Sequence, residues 1–387
     1  MIRKVLIVGA GPAGTTLAIR LARLGIDVTL IDRARFPRHK LCGEFISPEC
    51  FDYFDEIGVT AEIEQIGGSE ISQSLFYSAS GKSVVIPSRW FAGRGAIGLS
   101  RYALDNILLE AAKNAGVRVI CETRLVNVRM SGNAISHAIV KSQDGSKCEL
   151  RADLYVDAGG RTGAFSNLAD KPGRRKPGKS PKYIAFKNHF KNVKAEEKTC
   201  EMYFFSGGYG GVNRVEGDLF NFCFIVRNHP GLVKDPEQII SKVILADNPR
   251  ARETLAQAES VREWIGVPVW HYGFSKHLTA SNLLEIGDAG AFIDPFTGSG
   301  ILMALESAGL AAQSIENTGF EADAALKSFY SARKLNLGSR LISAALLRRA
   351  AFSKILSSAA ITFAGKSRWL GRNMAGLTRQ KHSARRL

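Results

Sequence analysis

Residues 5–21 read Val5-Leu6-Ile7-Val8-Gly9-Ala10-Gly11-Pro12-Ala13-Gly14-Thr15-Thr16-Leu17-Ala18-Ile19-Arg20-Leu21. Val5 to Val8 is a short apolar run of the kind that forms a strand buried on both faces. Gly9 to Gly14 fits the spacing G-x-G-x-x-G, and Thr15 to Arg23 continues as a helix. Each glycine has its own physical reason. Gly9 allows a tight turn, Gly11 lets a pyrophosphate approach the backbone, and Gly14 lets helix and strand pack closely. The free N–H groups and positive dipole end of the helix then face the phosphates. Glycine-rich turns occur in many loops, so the deciding feature is a second strand, Val28-Thr29-Leu30-Ile31, which ends in Asp32. That carboxylate stands at the separation where a ribose hydroxyl is held. The expectation is a βαβ unit binding a dinucleotide, with Gly9, Gly11, Pro12, Ala13 and Gly14 under the pyrophosphate and Asp32 on the ribose.

The chain of 387 residues is long enough for two interleaved domains. Its hydrophobic share of 45% and charged share of 23% suit a globular protein. It contains no apolar run of about eighteen residues, the length a spanning helix needs. The first strand begins almost at Met1, which predicts no signal peptide and a cytoplasmic location. Cysteines 42, 50, 121, 148, 200 and 223 show neither C-x-x-C spacing nor a histidine cluster. They predict reduced thiols, no disulfide framework and no metal site.

The net charge of +16 is unevenly placed: Ala324 to Leu387 holds fourteen Lys and Arg and no acid, leaving 38 basic and 36 acidic residues elsewhere. No nucleic-acid recognition motif accompanies these charges, so nucleic acid is not an expected partner. An anionic membrane surface suits the tail better, placing the protein peripherally at the inner face of the membrane. Between residues 333 and 363, Leu337, Leu341, Ala345, Phe352, Leu356 and Phe363 share one side of a helical wheel, with Arg333, Arg340 and Lys354 on another. That is the pattern of an interfacial helix.

Elsewhere, residues 49–57 read as a helix with Phe51, Phe54 and Ile57 on one side, and residues 70–98 alternate as antiparallel strands. Ser100 is an N-cap for a helix from Arg101 to Ala115, and Val117 to Ile120 forms the next strand. Residues 124–142 and 147–151 predict a small antiparallel excursion, and Leu154-Tyr155-Val156 returns to the main sheet. A basic segment, with ten Lys or Arg between Lys171 and Lys198, reads as a solvated loop. Residues 183–227 alternate as strands interrupted by Gly207-Gly208-Tyr209-Gly210-Gly211, residues 236–258 read as helical, and Leu283 to Ile286 precedes a helix from Gly300 to Ile315.

The second chemical motif is Gly287-Asp288-Ala289-Gly290-Ala291-Phe292-Ile293-Asp294-Pro295-Phe296-Thr297-Gly298-Ser299-Gly300. An aspartate ending a strand can hold a polyhydroxylated chain such as ribitol. A proline and glycines before a helix let backbone N–H groups reach a planar, electron-accepting ring. This stretch resembles the flavin motif of the para-hydroxybenzoate hydroxylase superfamily, and within it the geranylgeranyl reductase family, at Gly287, Asp288, Gly290, Pro295, Thr297, Gly298, Gly300 and Ile301. The reductases often have glutamate where Ser299 stands.

The resemblance implies non-covalent FAD, with NAD(P)H or a reduced ferredoxin-type donor as electron source. It also gives meaning to Arg38-His39-Lys40-Leu41-Cys42-Gly43-Glu44, since a cysteine–glycine pair after the second strand lies near the flavin in that family. Cys42 and Glu44 are the implied catalytic residues, and Arg33, Arg38, Cys42, Gly43 and Arg101 join the implied cofactor contacts. Superfamily hydroxylases have Ala-Asp-Gly where Ala158-Gly159-Gly160 stands here, so the carboxylate tied to nicotinamide binding is absent. The W-x-W-x-I-P signature of flavin halogenases is also absent, Trp264-Ile265-Gly266-Val267-Pro268 only approaching it.

The expected architecture is α/β: a discontinuous Rossmann-type FAD domain (1–58, 100–165, 278–330), an antiparallel β-sheet substrate domain (59–99, 166–277) and a basic helical C-terminal extension (331–387). The expected function is reduction of C=C bonds in an apolar isoprenoid, lipid or polyketide-like substrate by reduced flavin. The alternatives are a monooxygenase acting on an aromatic or polyketide ring, and a flavin electron-transfer protein.

Overall fold

A computed structural model describes residues 1–165, 168, 181–229, 235–270, 272–275, 280–366 and 368–376. Residues 171–180 of the basic segment and the last residues of the tail lie outside that set, and the segment is not a solvated loop throughout: Tyr183–Lys191 is a strand in which Lys187 is buried.

Five parallel strands form the central sheet, in the order Leu283–Glu285, Leu154–Asp157, Lys4–Val8, Asp27–Ile31, Arg118–Ile120. Numbered along the chain this is 3-2-1-4-5 read from the other edge, the doubly wound order whose switch point lies beside the first strand. The helices Pro12–Arg23, Arg101–Asn114 and Gly300–Asn317 cover it, and Leu17, Leu104, Leu305 and Ala308 are buried in the shared core. Ser100 caps its helix as the sequence suggests, its Oγ accepting from the Ala103 amide at 3.1 Å. The excursion is a three-stranded antiparallel sheet of Thr123–Ser131, Ala134–Ser142 and Lys147–Leu150.

The second large sheet has eight strands, all antiparallel except for the parallel pair Thr199–Phe205 and Gln73–Tyr77. Ser83–Pro87 is one edge. Alternation gives it two different faces. Phe186, Phe190, Phe222 and Phe224 pack under the helical segment from Pro236 to Thr254, whereas Ala185, Lys187 and His189 point the other way, toward the FAD-type domain.

Of the glycines from 207 to 211, Gly207 breaks the strands as expected, in the turn after Phe205 at φ +76°, but Gly208, Gly210 and Gly211 do not. Gly208–Arg214 is a buried strand within it. A Cβ on Gly210 would stand 2.8 Å from Phe224 Cβ, and one on Gly211 2.4 Å from Met202 Sδ. Glycine is required here by close side-chain neighbours, not by a turn.

Ala322–Ala351 is one continuous helix, followed by Lys354–Lys366 and Arg368–Gly376. Its expected solvent-facing arginines are buried. Arg340 pairs with Glu306, and Arg333 Nη1 donates to the carbonyls of Glu285 and Gly290 at 3.3 and 3.2 Å. Leu337 and Leu341, expected to face lipid, pack instead on Ala291, Ile293 and Met303. The stripe read from the sequence is therefore largely a docking face. No helix among the described residues is long and apolar enough to cross a membrane.

Candidate functional site

The glycine-rich turn closes against the neighbouring strand end at the switch point. A Cβ on Gly9 would stand 2.3 Å from the Ala158 carbonyl oxygen, and one on Gly14 1.9 Å from the Gly9 carbonyl. Gly9, at φ +113°, also needs a backbone conformation that favours glycine. Gly11 is different: its open side meets only Arg101 Nη2 at 3.6 Å and Lys40 Nζ at 3.9 Å from a Cβ position. The bare backbone of Gly11 thus faces two cations above a helix N-terminus.

Asp32 ends the second strand, nearly buried. Its Oδ2 accepts from the Ala10 amide and its Oδ1 from the Ala34 amide, both at 2.8 Å. Arg38 bridges Asp32 and Asp105, at 3.6 and 2.8 Å. Arg101 is paired at both ends with Asp105, at 2.6 and 2.7 Å, which holds it protonated despite burial, and it lies beside Cys42. Arg33 is exposed.

Lys40, which the resemblance sets with Arg38 toward flavin phosphates or substrate, reaches the centre of this cleft among Arg101, Asp105 and Asp288. Burial pushes its ammonium down to about 8, helped by Arg101 and Arg38 and opposed by Asp105 and Asp288. Asp288 is raised by burial, with Lys40, Arg161 and Arg101 opposing that shift. Arg161, following the Gly159-Gly160 pair, is therefore part of the site, though no motif singles it out. A dianionic diphosphate fits here: a cation pushed toward neutrality by burial and like charges is stabilised by an anion. The lost Ala-Asp-Gly acid is not replaced by Asp157, whose buried carboxylate accepts from the amides of Gly159, Ala164 and Phe165 and folds that loop.

The loop from Cys42 to Glu44 lies across the face of the eight-stranded sheet that carries Lys187 and His189. Glu44 is fully buried. It accepts from Lys187, from His189 Nε2 at 2.7 Å and from the Arg101 amide at 2.7 Å. Burial alone would raise its carboxyl, but the His189 hydrogen bond and the Lys187 charge hold it below the usual range. Asn221 donates to the Gly43 carbonyl at 2.8 Å and Asn213 to that of Glu44 at 3.3 Å. Glu44 thus clamps the loop to the sheet. Cys42 is half-buried beside it, and its Sγ accepts from the Glu44 amide at 3.3 Å.

The segment Pro295 to Gly300 forms the far wall. Pro295 is exposed, Gly298 takes φ +62°, and Gly300 opens the helix that carries buried Ile301. Phe76, Phe204 and Tyr209 pack from the sheet side on Phe296 of this segment, and Phe352 at the end of the long C-terminal helix packs on Tyr209. Tyr209 donates to Asp294, and Arg348 Nε stands 3.8 Å from the other carboxylate oxygen. No group of His, Cys, Asp and Glu among the described residues is disposed to hold a metal ion.

The glycine cradle, the cations over Gly11 and the Asp288 loop all converge on one cleft at the switch point. A sequence profile described as "FAD binding domain" matches residues 3–345. The chain belongs to that family. Members of the FAD binding domain family differ in chemistry, and so do the relatives of this chain. It is 24% identical over 322 residues to a tryptophan 2-halogenase of Chondromyces crocatus, covering 81% of this chain but only 61% of that protein. It is 27% identical over 303 residues to digeranylgeranylglycerophospholipid reductase 2 of Methanopyrus kandleri, covering 77% of this chain and 72% of that one. The solved structure of a flavin-dependent brominase superposes with a TM-score of 0.79 at 19% identity, over 97% of this chain and 94% of the other, a likeness of fold. These relatives divide between a halogenase and a reductase, and the chain spans about three fifths of the length of the first of them.

Proposed function

We propose that this protein is a FAD-dependent oxidoreductase that reduces a C=C bond in an apolar, polyprenyl-like substrate. The observation that carries the reading is the aromatic cluster at the Pro295–Gly300 turn, where Phe76, Phe204 and Tyr209 pack on Phe296 of that turn and bring apolar side chains up to the site. The likeness to a reductase of polyprenyl lipids supports it. The halogenase likeness is not matched at Trp264, which packs between Phe190 and Phe224 and donates to Glu237 at 2.7 Å as a core residue.

In this reading Lys40 and Arg101 hold the diphosphate over Gly11, with Pro12, Ala13 and Gly14 at the helix start. Asp32 keeps lone pairs for a ribose hydroxyl, Asp288 holds the ribitol, and Pro295, Gly298 and Gly300 border the ring. Bound and reduced, the flavin supplies the hydride. The Cys42 Sγ holds the proton that completes the saturated product and regains it from solvent. Glu44, fixed as a carboxylate, positions Cys42 without giving up a proton. NAD(P)H or a ferredoxin-type protein serves as the electron source.

The test bypasses the natural donor. Protein reduced with dithionite under anaerobic conditions is mixed with a polyprenyl lipid, and the product is weighed by mass spectrometry. The expected product gains two hydrogens without oxygen. Turnover that needs oxygen and adds an oxygen or halogen atom to an aromatic compound overturns the reading.

A further inference from the structure

The buried stripe of the long C-terminal helix leaves its opposite face outward, and that face is apolar too. Leu335, Ile342 and Leu346 recur at helical spacing and are 83%, 66% and 60% exposed. The next helix presents Ile355, Leu356 and Phe363, and Trp369 follows at 71% exposure. Seven of the thirteen large hydrophobic residues exposed among the described residues therefore fall within one stretch of the tail. Scattered exposed hydrophobes need no explanation, but such a concentration marks an interaction surface.

The charges around it identify the partner. Lys334, Arg349, Lys366 and Arg372 are exposed on the same helices, and no acid occurs from Ala324 onward. A symmetric dimer through this face would set the same basic patch against itself, because a two-fold interface pairs each surface with its own copy. An anionic bilayer offers what both features need: phosphate for long basic side chains, and an acyl boundary for Leu, Ile, Phe and Trp. We infer that the outward face of the C-terminal helices, centred on Leu335, Ile342, Leu346 and Phe363, docks the protein on an anionic lipid surface. The inward face, with Leu337, Leu341 and Arg340, stays on the protein while it does so. The helices lie in the interface and do not cross it.

The experiment uses the full chain with its flavin and vesicles of phosphatidylcholine with or without about 30 mol % phosphatidylglycerol. Sedimentation is expected on the anionic vesicles only, weakening at least tenfold, on the order of magnitude set by screening, between about 50 and about 300 mM salt. The triple variant Ile342→Ser, Leu346→Ser, Phe363→Ser should lose at least about tenfold in binding with unchanged flavin content and melting temperature, since those side chains touch solvent. Arg349→Gln with Lys366→Gln should weaken binding and flatten its salt dependence. Absence of sedimentation on anionic vesicles overturns the proposal, as does equal binding by parent and triple variant. A dimer in analytical ultracentrifugation that the triple variant dissociates, without vesicle binding, also overturns it and assigns the face to a second copy. None of these readouts depends on turnover.

Discussion

The carboxylate of Glu44 is a buried anion with two basic partners, Lys187 and His189, and its worth follows from that arrangement. Glu44→Gln leaves the Lys187 ammonium in the interior without its counter-charge. Breaking a buried pair from one side costs about 3–5 kcal/mol, to be read from urea unfolding, and a loss below about 1 kcal/mol would show that water reaches Lys187. Because the folded carboxyl lies below its ordinary 4.5, this stability is present above that pH and is lost as pH falls through the depressed value. Cys42→Ser, by contrast, should slow substrate conversion while leaving flavin content and melting temperature nearly intact; a stability loss would make Cys42 a packing residue. Much of this was not legible in the sequence. Cys42-Gly43-Glu44 stood out as a motif, but the partners of Glu44 lie 143 and 145 residues downstream. Lys187 and His189 alternate with Phe186 and Phe190, the pattern of a strand with one wet face. Only tertiary packing reveals that the other domain covers that face.

At the scale of elements, the glycines read from the two motifs separate cleanly by what surrounds them. Gly14→Ala forces a methyl group to within 1.9 Å of the Gly9 carbonyl. The obstacle is backbone, so helix and strand must part, at a cost near the upper end of about 1–3 kcal/mol for overpacking. Gly300→Ala meets nothing within 4 Å and sits at a helix start, so thermal stability should hold or rise slightly. The two variants together make a test of the flavin position. Both should copurify with less FAD, Gly14→Ala with a lower melting temperature and Gly300→Ala without one. Full occupancy in Gly300→Ala would move the ring away from that turn. The nucleotide-binding turn was legible because its spacing is local: strand, three glycines and helix lie within the single stretch from Lys4 to Arg23. The glycines of 208–211 misled for the complementary reason. A turn and a crowded strand both call for glycine, and the crowding comes from Phe224 and Met202 on neighbouring strands.

Across the whole molecule, the C-terminal helices join parts that the sequence treats separately. Composition announced a basic tail, and the apolar periodicity was real, but one buried face and one exposed face alternate along the same helix. A helical wheel alone does not say which is which. Arg348 is the point where this tail meets the site, standing between Asp294 of the Pro295 turn and the ring of Tyr272, its guanidinium carbon 4.1 Å from the centre of that ring. Burial raises the Asp294 carboxyl to about 6, with the Tyr209 and Phe296 hydrogen bonds and the Arg348 charge opposing. The folded state therefore holds a proton that the unfolded chain releases near 3.8, so the stability from this group is present below that pH and is lost as pH rises through about 6. Above about 6, Asp294 is an anion in a poorly solvated place, and Arg348 becomes its nearest compensating cation. The contact that tethers the tail should then strengthen as the global term weakens. Hydrogen exchange over residues 340–366, corrected for intrinsic rates, should show greater protection at about pH 8 than at about pH 5. Arg348→Gln should erase that difference and steepen the loss of global stability above about pH 6. Protection that stays the same at both pH values in the parent would mean that apolar packing of Phe352 and Ile361 alone holds the tail in place.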